Sequence, residues 1–481
     1  MFVGVGIAAV LRSKPDHIDY YLAGRGVSPP LVGLSAIATN NSGFMFIGVI
    51  GFTYTVGLAA IWLMIGWIVG DFIASMFIHR KLRQFTEQTN EPTFAGVLSR
   101  WNETDFTFYR KLMGFVSLLF LGVYAAAQLG AGSKALGTLF DLDVMVAGAE
   151  IDSGAIMVAV IVVAYSVAGG IRASIWTDVA QSFVMVLAMG LLLTVAVMGL
   201  GGISGAWEAM GSIPDEPQFL NLFPPDNELL IPGGIGIGLF ILGWMFAGFS
   251  VVGQPHIMVR FMALKDPKTL VQARVWYYGY FTLFYSMATG VGLLARLYLP
   301  ELANPGQDPE IALPLMAQEL LPPVLVGLIL AGVFAATIST ADSLVLSCSA
   351  AVTHDLLPKR FETSREMKFA TFGVTALALV ITLTMLESVF FMVITAWSVL
   401  ASAFAPLLLI YALNLRVSQW QAITMMVVGV SVALGWRFLL EWHSFVYEGF
   451  PGIVSGVLTY FVLRLMPNVR AAADGAELRR L

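Results

Sequence analysis

The sequence predicts an all-α protein that crosses a membrane many times. Three observations predict it. First, 58% of the 481 residues are hydrophobic and 12% are charged, and the mean hydropathy is +0.81. A water-facing domain carries about 25% charged residues, so this chain cannot cover such a surface. Second, apolar runs recur along the chain, many at the length of roughly 20 residues that a helical span needs. Third, the charges between the runs alternate. The connections holding Arg12, Lys14 and Arg25, then His79 to Arg83, Arg172, Arg260 to Arg274, Lys359 to Lys368, Arg416 and the Arg464 to Arg480 tail are basic. The connections 141–152, 201–231 and 302–310 carry acids and neither Lys nor Arg. Basic connections stay inside. The expectation is a multi-pass protein of the cell inner (plasma) membrane with its C-terminus cytoplasmic and its N-terminus outside.

The elements follow in order. Met1 to Arg12 is apolar but too short to span, and a polar connection runs on to Arg25. Pro29-Pro30 opens span one, which ends near Val56. Span two is Leu58 to Ile78, stopped by His79 to Arg83. An amphipathic piece, Pro92 to Trp101, leads into span three, about Phe106 to Phe140. Spans four and five are Ile156 to Ala168 and about Ile175 to Leu200. The acidic loop 201–231 precedes span six, about Pro232 to Met262. Span seven is about Val275 to Leu299. A short helix, Ile311 to Leu321, precedes span eight, about Val324 to Leu356. Spans nine to twelve are about Phe369 to Leu386, Ser388 to Leu415, Ala422 to Leu440 and Pro451 to Leu465. The organisation expected is a partial first span and connection (1–25), a core (26–415, in halves 26–200 and 232–415), two accessory spans (416–466) and a polar cytoplasmic tail (467–481).

Two spans carry interruptions. Span one contains ATNNSG (38–43), and span six contains FAGFSVVGQP (246–255). Gly43 and Gly248 lie 205 positions apart (248 − 43), each in the first span of its half. Paired broken helices mark a transporter site on an inverted repeat, with unwound carbonyls free for cations. Span eight adds Ser339, Thr340, Asp342 and Ser343 in an apolar run. Helical spacing turns Ser339, Asp342 and Ser343 one way, with Ala336 and Thr340 on the neighbouring edge. Oxygens are costly in a membrane unless they bind something, and hard cations prefer them.

Composition excludes other classes. A net charge of −5 without a basic patch is unlike a nucleic-acid binder. One cysteine, Cys348, allows neither an intrachain disulfide nor a cysteine metal site, and it reads as packing. There is no cleavable signal pattern. The five histidines form no HExxH spacing, and neither a catalytic triad nor a phosphate loop is present, so an enzyme is not expected. No obligatory protein partner is implied, and the surroundings are lipid. Asp71 reads as a residue snorkelling or pairing near the interface, with a polar pocket between helices as the alternative. Lys134 and Arg296 read as snorkelling at outer span ends. Glu387 reads as a surface turn, and Ala401 to Pro406 as a hinge in span ten.

The stretches DYYLAGRG (19–26), LSAIATNNSG (34–43), GGIRASIWTDVAQSFVM (169–185), GQPHIMVRFMALKD (253–266) and AATISTADSLVLSCSAAVTHDL (335–356) resemble the solute:sodium symporter family. The nearest likeness is to its bacterial sodium/proline branch. The resemblance implies a LeuT-type fold with an inverted five-helix repeat, about 12–13 transmembrane helices, and Na⁺-coupled uptake of a small organic solute by alternating access. Proline or a related amino acid is the expected solute. The alternatives are another solute, such as a small carboxylate, or a non-coupled channel or sensor derivative.

Carried over by motif, the sodium ligands would be backbone oxygens of Ala38, Asn41 and Ala336 with the hydroxyls of Ser339 and Thr340. A second cation would lie at Asp178, Asp342 and Ser343. The solute pocket would involve Asn40, Ser42, Gly48, Tyr124, Trp244, Phe246, Phe249 and Gln254. The chain departs from the proline branch in three ways. It has Asn40 where that branch carries an aspartate. Val251-Val252 stands before GQPH in place of an aromatic. The first span is about half the family's length, so a truncation or an upstream start is expected.

Overall fold

The structure, a computed structural model, describes residues 17–101, 104–140, 143–146, 149–166, 170–213, 218–357, 364–384 and 388–466. The short first run, the tail from 467, and Glu387 lie outside these residues. Helices match spans one to twelve. Span one is Pro29–Asn40, Ser42–Phe46 and Gly48–Val56, and span two is Ile61–Thr89. Spans three to five are Thr107–Gly137, Ser153–Ser166 and Gly170–Gly199. Span six is Gly234–Phe249 and Pro255–Met262, joined by a 3₁₀ turn, Ser250–Gly253. Spans seven to nine are Leu270–Tyr298, Pro323–Ala350 (continued as a π turn to Leu356) and Ser364–Thr384. Spans ten to twelve are Val389–Ala412, Gln419–Phe438 and Gly449–Arg464. Among the described residues, seven stretches are long and apolar enough to cross a membrane.

The packing is that of an inverted repeat. Span one packs on span seven as span six packs on span two, and span five packs on span eight as span ten packs on span three. The two breaks form for local reasons. Span one starts at Pro29 after the extended Ser28, as Pro at a first turn favours. Its first helix ends at Asn41, where Gln128 Oε1 accepts from Gly43 N at 2.8 Å and Ser42 Oγ accepts from Phe44 N at 3.1 Å. Side chains thus satisfy backbone groups that water cannot reach. Span six breaks because Pro255 cannot donate and forces Gln254 to be extended (φ −98°, ψ 102°). Gln254 Nε2 then donates to the carbonyls of Ser250 at 3.2 Å and Trp397 at 3.1 Å.

Several elements differ from expectation. Span two continues past its basic stop to Thr89, because Arg83 folds back onto Glu87 at 3.0 Å and onto carbonyls at 264 and 265. The acidic loop holds a helix, Gly202–Gly211. A two-stranded hairpin, Asp143–Val146 with Ala149–Asp152, interrupts the all-helical pattern. The helix of span ten runs through Pro406. The carbonyl of Ser402, four residues earlier, faces the backbone of Gly429 in span eleven. Lys134 does not snorkel but pairs with Asp308 at 2.6 Å and with Glu310. Asp71 is buried, with 0% of its surface exposed, so the interfacial reading fails. Arg296 lies over the Tyr54 ring, 5.1 Å from its centroid.

Spans two and six approach as closely as backbone allows. A Cβ on Gly70 would sit 1.8 Å from the Met245 carbonyl, and one on Gly248 would sit 2.0 Å from that of Trp67. Gly70→Ala and Gly248→Ala should each cost about 1–3 kcal/mol or more, because the obstructing atoms are backbone. Thermal unfolding of purified protein in detergent checks this. An unchanged midpoint would mean that the two spans part easily.

Candidate ion and solute site

Spans one and eight meet at the first break. Ser339 Oγ lies 3.0 Å from the Ala336 carbonyl and 3.5 Å from that of Ala38. Thr340 Oγ1 donates to the Thr39 carbonyl at 3.0 Å. The structure therefore brings together Ala38, Ala336, Ser339 and Thr340 across 301 positions of chain. Asn41 is fully buried at the break, and neither polar atom of its side chain has a partner. Such neutral oxygens fit a monovalent hard cation better than a carboxylate cage does. Among the described residues, no cluster of three or more His, Cys, Asp or Glu could hold a metal.

The expected second cation position is arranged differently. Asp178 Oδ2 accepts from Ser35 Oγ at 2.6 Å, from Thr39 Oγ1 at 3.4 Å and from Arg260 Nη2 at 3.0 Å. Arg260 also donates to Ser35 Oγ at 3.0 Å, to Ser174 Oγ at 3.2 Å, to Ser343 Oγ and to the His256 carbonyl. Both partners of the pair are about 1% exposed. The cation facing Asp178 and Ser343 here is thus the protein's own guanidinium. Asp342 faces the hydroxyls of Ser166 and Ser174. The sequence reading counted Arg260 among the charges of a basic connection; the structure instead buries it in the second half of span six, where a charge needs a partner. A cavity lined by Tyr21, Thr93, Ser117, Arg260, Ser343 and Asp355, among others, leads to this pair.

On the other side of the break the solute candidates separate. Tyr124 donates to Ser42 Oγ at 3.0 Å, and its ring meets His256 and Trp397 at 5.5 and 6.3 Å. Trp397 packs on Trp67 at 4.9 Å, and Trp67 on Phe44 at 5.8 Å. Gly48 lies beside Phe44 and Phe390, whose rings stack at 5.3 Å. Gln254 is fully buried, and its Oε1 has no partner, as is true of Trp67 Nε1. These residues form an aromatic-walled site with unpaired polar atoms. Trp67, His256, Phe390 and Trp397 were not anticipated, because an aromatic in a span reads first as packing.

Other candidates turn away. Phe246 packs on Phe249 at 5.6 Å and on Phe450 at 4.8 Å, toward span twelve. Trp244 contacts Phe240 and Tyr447, and reaches the aromatic wall only through Phe52, which stacks on Phe390 at 4.5 Å. The Asn40 side chain points to span seven, where Nδ2 donates to the Tyr277 hydroxyl at 2.6 Å.

A repeat of broken helices around a buried polar site defines a secondary transporter of the LeuT type. The fold agrees with solved transporters. A Na⁺-coupled sialic acid symporter in a substrate-bound outward-open state is similar with a TM-score of 0.76 at 18% identity, covering 96% of this chain and 94% of that one. Mhp1, a nucleobase-cation-symport-1 family transporter in a closed conformation, is similar with a TM-score of 0.55 at 16% identity, covering 94% and 97%.

The model of the sodium:solute symporter family matches residues 20–429, and the chain belongs to that family. It is a multi-pass membrane transporter, not an enzyme. The high-affinity proline transporter PutP of Bacillus subtilis is 29% identical over 98% of this chain and 96% of the relative. A sodium/proline symporter of Staphylococcus aureus is 30% identical over 97% of this chain and 90% of the relative.

Proposed function

We propose that this protein takes up proline or a related amino acid together with sodium by alternating access. One observation carries the reading: the Ala38, Ser339 and Thr340 oxygens and the Ser42–Tyr124 pair flank the same break in span one. Sodium binds through the Ala38, Asn41 and Ala336 carbonyls and the Ser339 and Thr340 hydroxyls. It fixes the break and so raises affinity for the solute, an ordinary positive linkage. The solute lies among Ser42, Gly48, Tyr124, Gln254, Trp67 and Trp397. The unpaired Gln254 Oε1 offers an acceptor for an ammonium group, and the Trp67 N–H a donor for a carboxylate. The protein lies in the plasma membrane with its C-terminus in the cytoplasm, and sodium leaves inward beside Arg260 and Ser343. One charge crossing 100 mV supplies about 2.3 kcal/mol. That supports roughly a fifty-fold solute gradient.

Uptake of labelled L-proline into proteoliposomes tests the reading. An inward Na⁺ gradient should drive saturable uptake, and K⁺ in its place should not. Sodium-driven uptake of a small carboxylate instead would keep symport and change the solute. No sodium response with any solute would end the reading.

A further inference from the structure

Span two carries a polar stripe that the transport site does not use. Asp71, Ser75 and His79 recur at four-residue spacing, so they share one helix face. All three are 0% exposed. Neither Asp71 oxygen and neither His79 nitrogen is held in ordinary hydrogen-bond geometry. The hydroxyls of Tyr277 and Tyr278 face the Asp71 carboxyl, and the Arg274 guanidinium lies nearby. All three come from span seven. Span six up to its break, GIGIGLFILGWMFAGF, packs closely on span two and holds no titratable side chain. Its second half brings His256 and Arg260, which meet Tyr124 and Asp178 instead. Span ten brings Tyr411, which bonds the Leu98 carbonyl, and the turn before span seven brings Lys268.

Tyr277 links this carboxyl to the transport site. Its hydroxyl accepts from Asn40 Nδ2 at 2.6 Å, which leaves its own proton free to point at Asp71. Asn40 sits directly between the Thr39 and Asn41 of the span-one break. A bare carboxylate in this place is costly unless partners turn to it. A metal ion is a poor occupant, because few oxygens surround the carboxyl and Arg274 adds a positive charge. A proton needs one oxygen only.

We propose that Asp71 is a proton site which, through Tyr277 and Asn40, competes with sodium binding at the span-one break. The proposal rests on the sodium-symport reading. Protonated, Asp71 can offer its O–H and makes no demand on Tyr277. Ionised, it only accepts hydrogen bonds. It then draws the Tyr277 O–H, which aims the tyrosine lone pairs at Asn40 and holds the break in its sodium-binding form. Proton loss thus favours sodium binding, and sodium binding favours proton loss by the same factor.

The test is apparent sodium affinity, read by sodium-dependent thermal stabilisation of purified protein between about pH 5.5 and about 8.5, a range reached by buried carboxyls. The wild type should bind sodium roughly fivefold more tightly or better at the high end, the lower limit of ordinary coupling. Asp71→Asn, which is isosteric, and Tyr277→Phe, which keeps the carboxyl and cuts the relay, should both flatten the dependence. A slope that survives in Asp71→Asn, or a flat wild type, overturns the proposal. Infrared difference spectra over the same range keep the proton site apart from sodium coupling. A protonated-carboxyl band that titrates in the wild type and in Tyr277→Phe, and is missing in Asp71→Asn, supports the site even if no sodium response is seen. Its absence from the wild type overturns it.

Discussion

Replacing Arg260 with methionine should destabilise the protein by about 3–5 kcal/mol, because it strands a buried carboxylate. Asp178 would keep two hydroxyl donors and lose its ion-pair partner. The guanidinium also ties spans one, five and eight through Ser35, Ser174 and Ser343, so transport should fall with stability. The double variant Arg260→Met/Asp178→Leu should recover much of the loss, since removing both charges of a buried pair is often near neutral. Unfolding midpoints of the two variants measure this. Were the double variant as unstable as the single one, the pair would not be what holds these spans. If sodium itself neutralises Asp178, the single variant should regain stability in high sodium. That outcome would restore the second cation position expected from the sequence.

Ser339→Ala and Thr340→Ala should each weaken apparent sodium affinity by roughly 10–100-fold. A hydrogen-bonding oxygen facing a charge contributes about 1.5–3 kcal/mol. Solute affinity at fixed sodium should fall with it, since the two are linked. Ser343→Ala is the contrast, because that hydroxyl serves Arg260 and the Ser339 carbonyl. It should alter stability more than sodium affinity. Sodium titrations of uptake or of thermal stabilisation separate the three. Equal effects from all three would spread the ion site along the whole face of span eight.

The same division runs through the structure. Span positions were legible because apolar length and loop charge are local, additive signals. The breaks were legible because Pro255 and the ATNNSG run withdraw or compete for backbone hydrogen bonds wherever they are placed. The Ser339–Thr340 face followed from helical spacing alone, and its meeting with Ala38 followed from the family resemblance. What could not be read was which helix each buried group would face. Arg260 and Asp178 lie 82 positions apart, and Asp71 meets Tyr277 only because span two packs against span seven. Phe246 and Trp397 are alike as sequence, yet packing sends one toward span twelve and the other against Tyr124 and Trp67. The sequence by itself determined the spans, their breaks and the oxygens on span eight, since each depends on neighbours within a turn or two. Only the tertiary structure decided the Arg260–Asp178 pair, the aromatic walls and the Asp71 relay, because a buried charge or ring takes its partner from whichever helix the packing brings beside it.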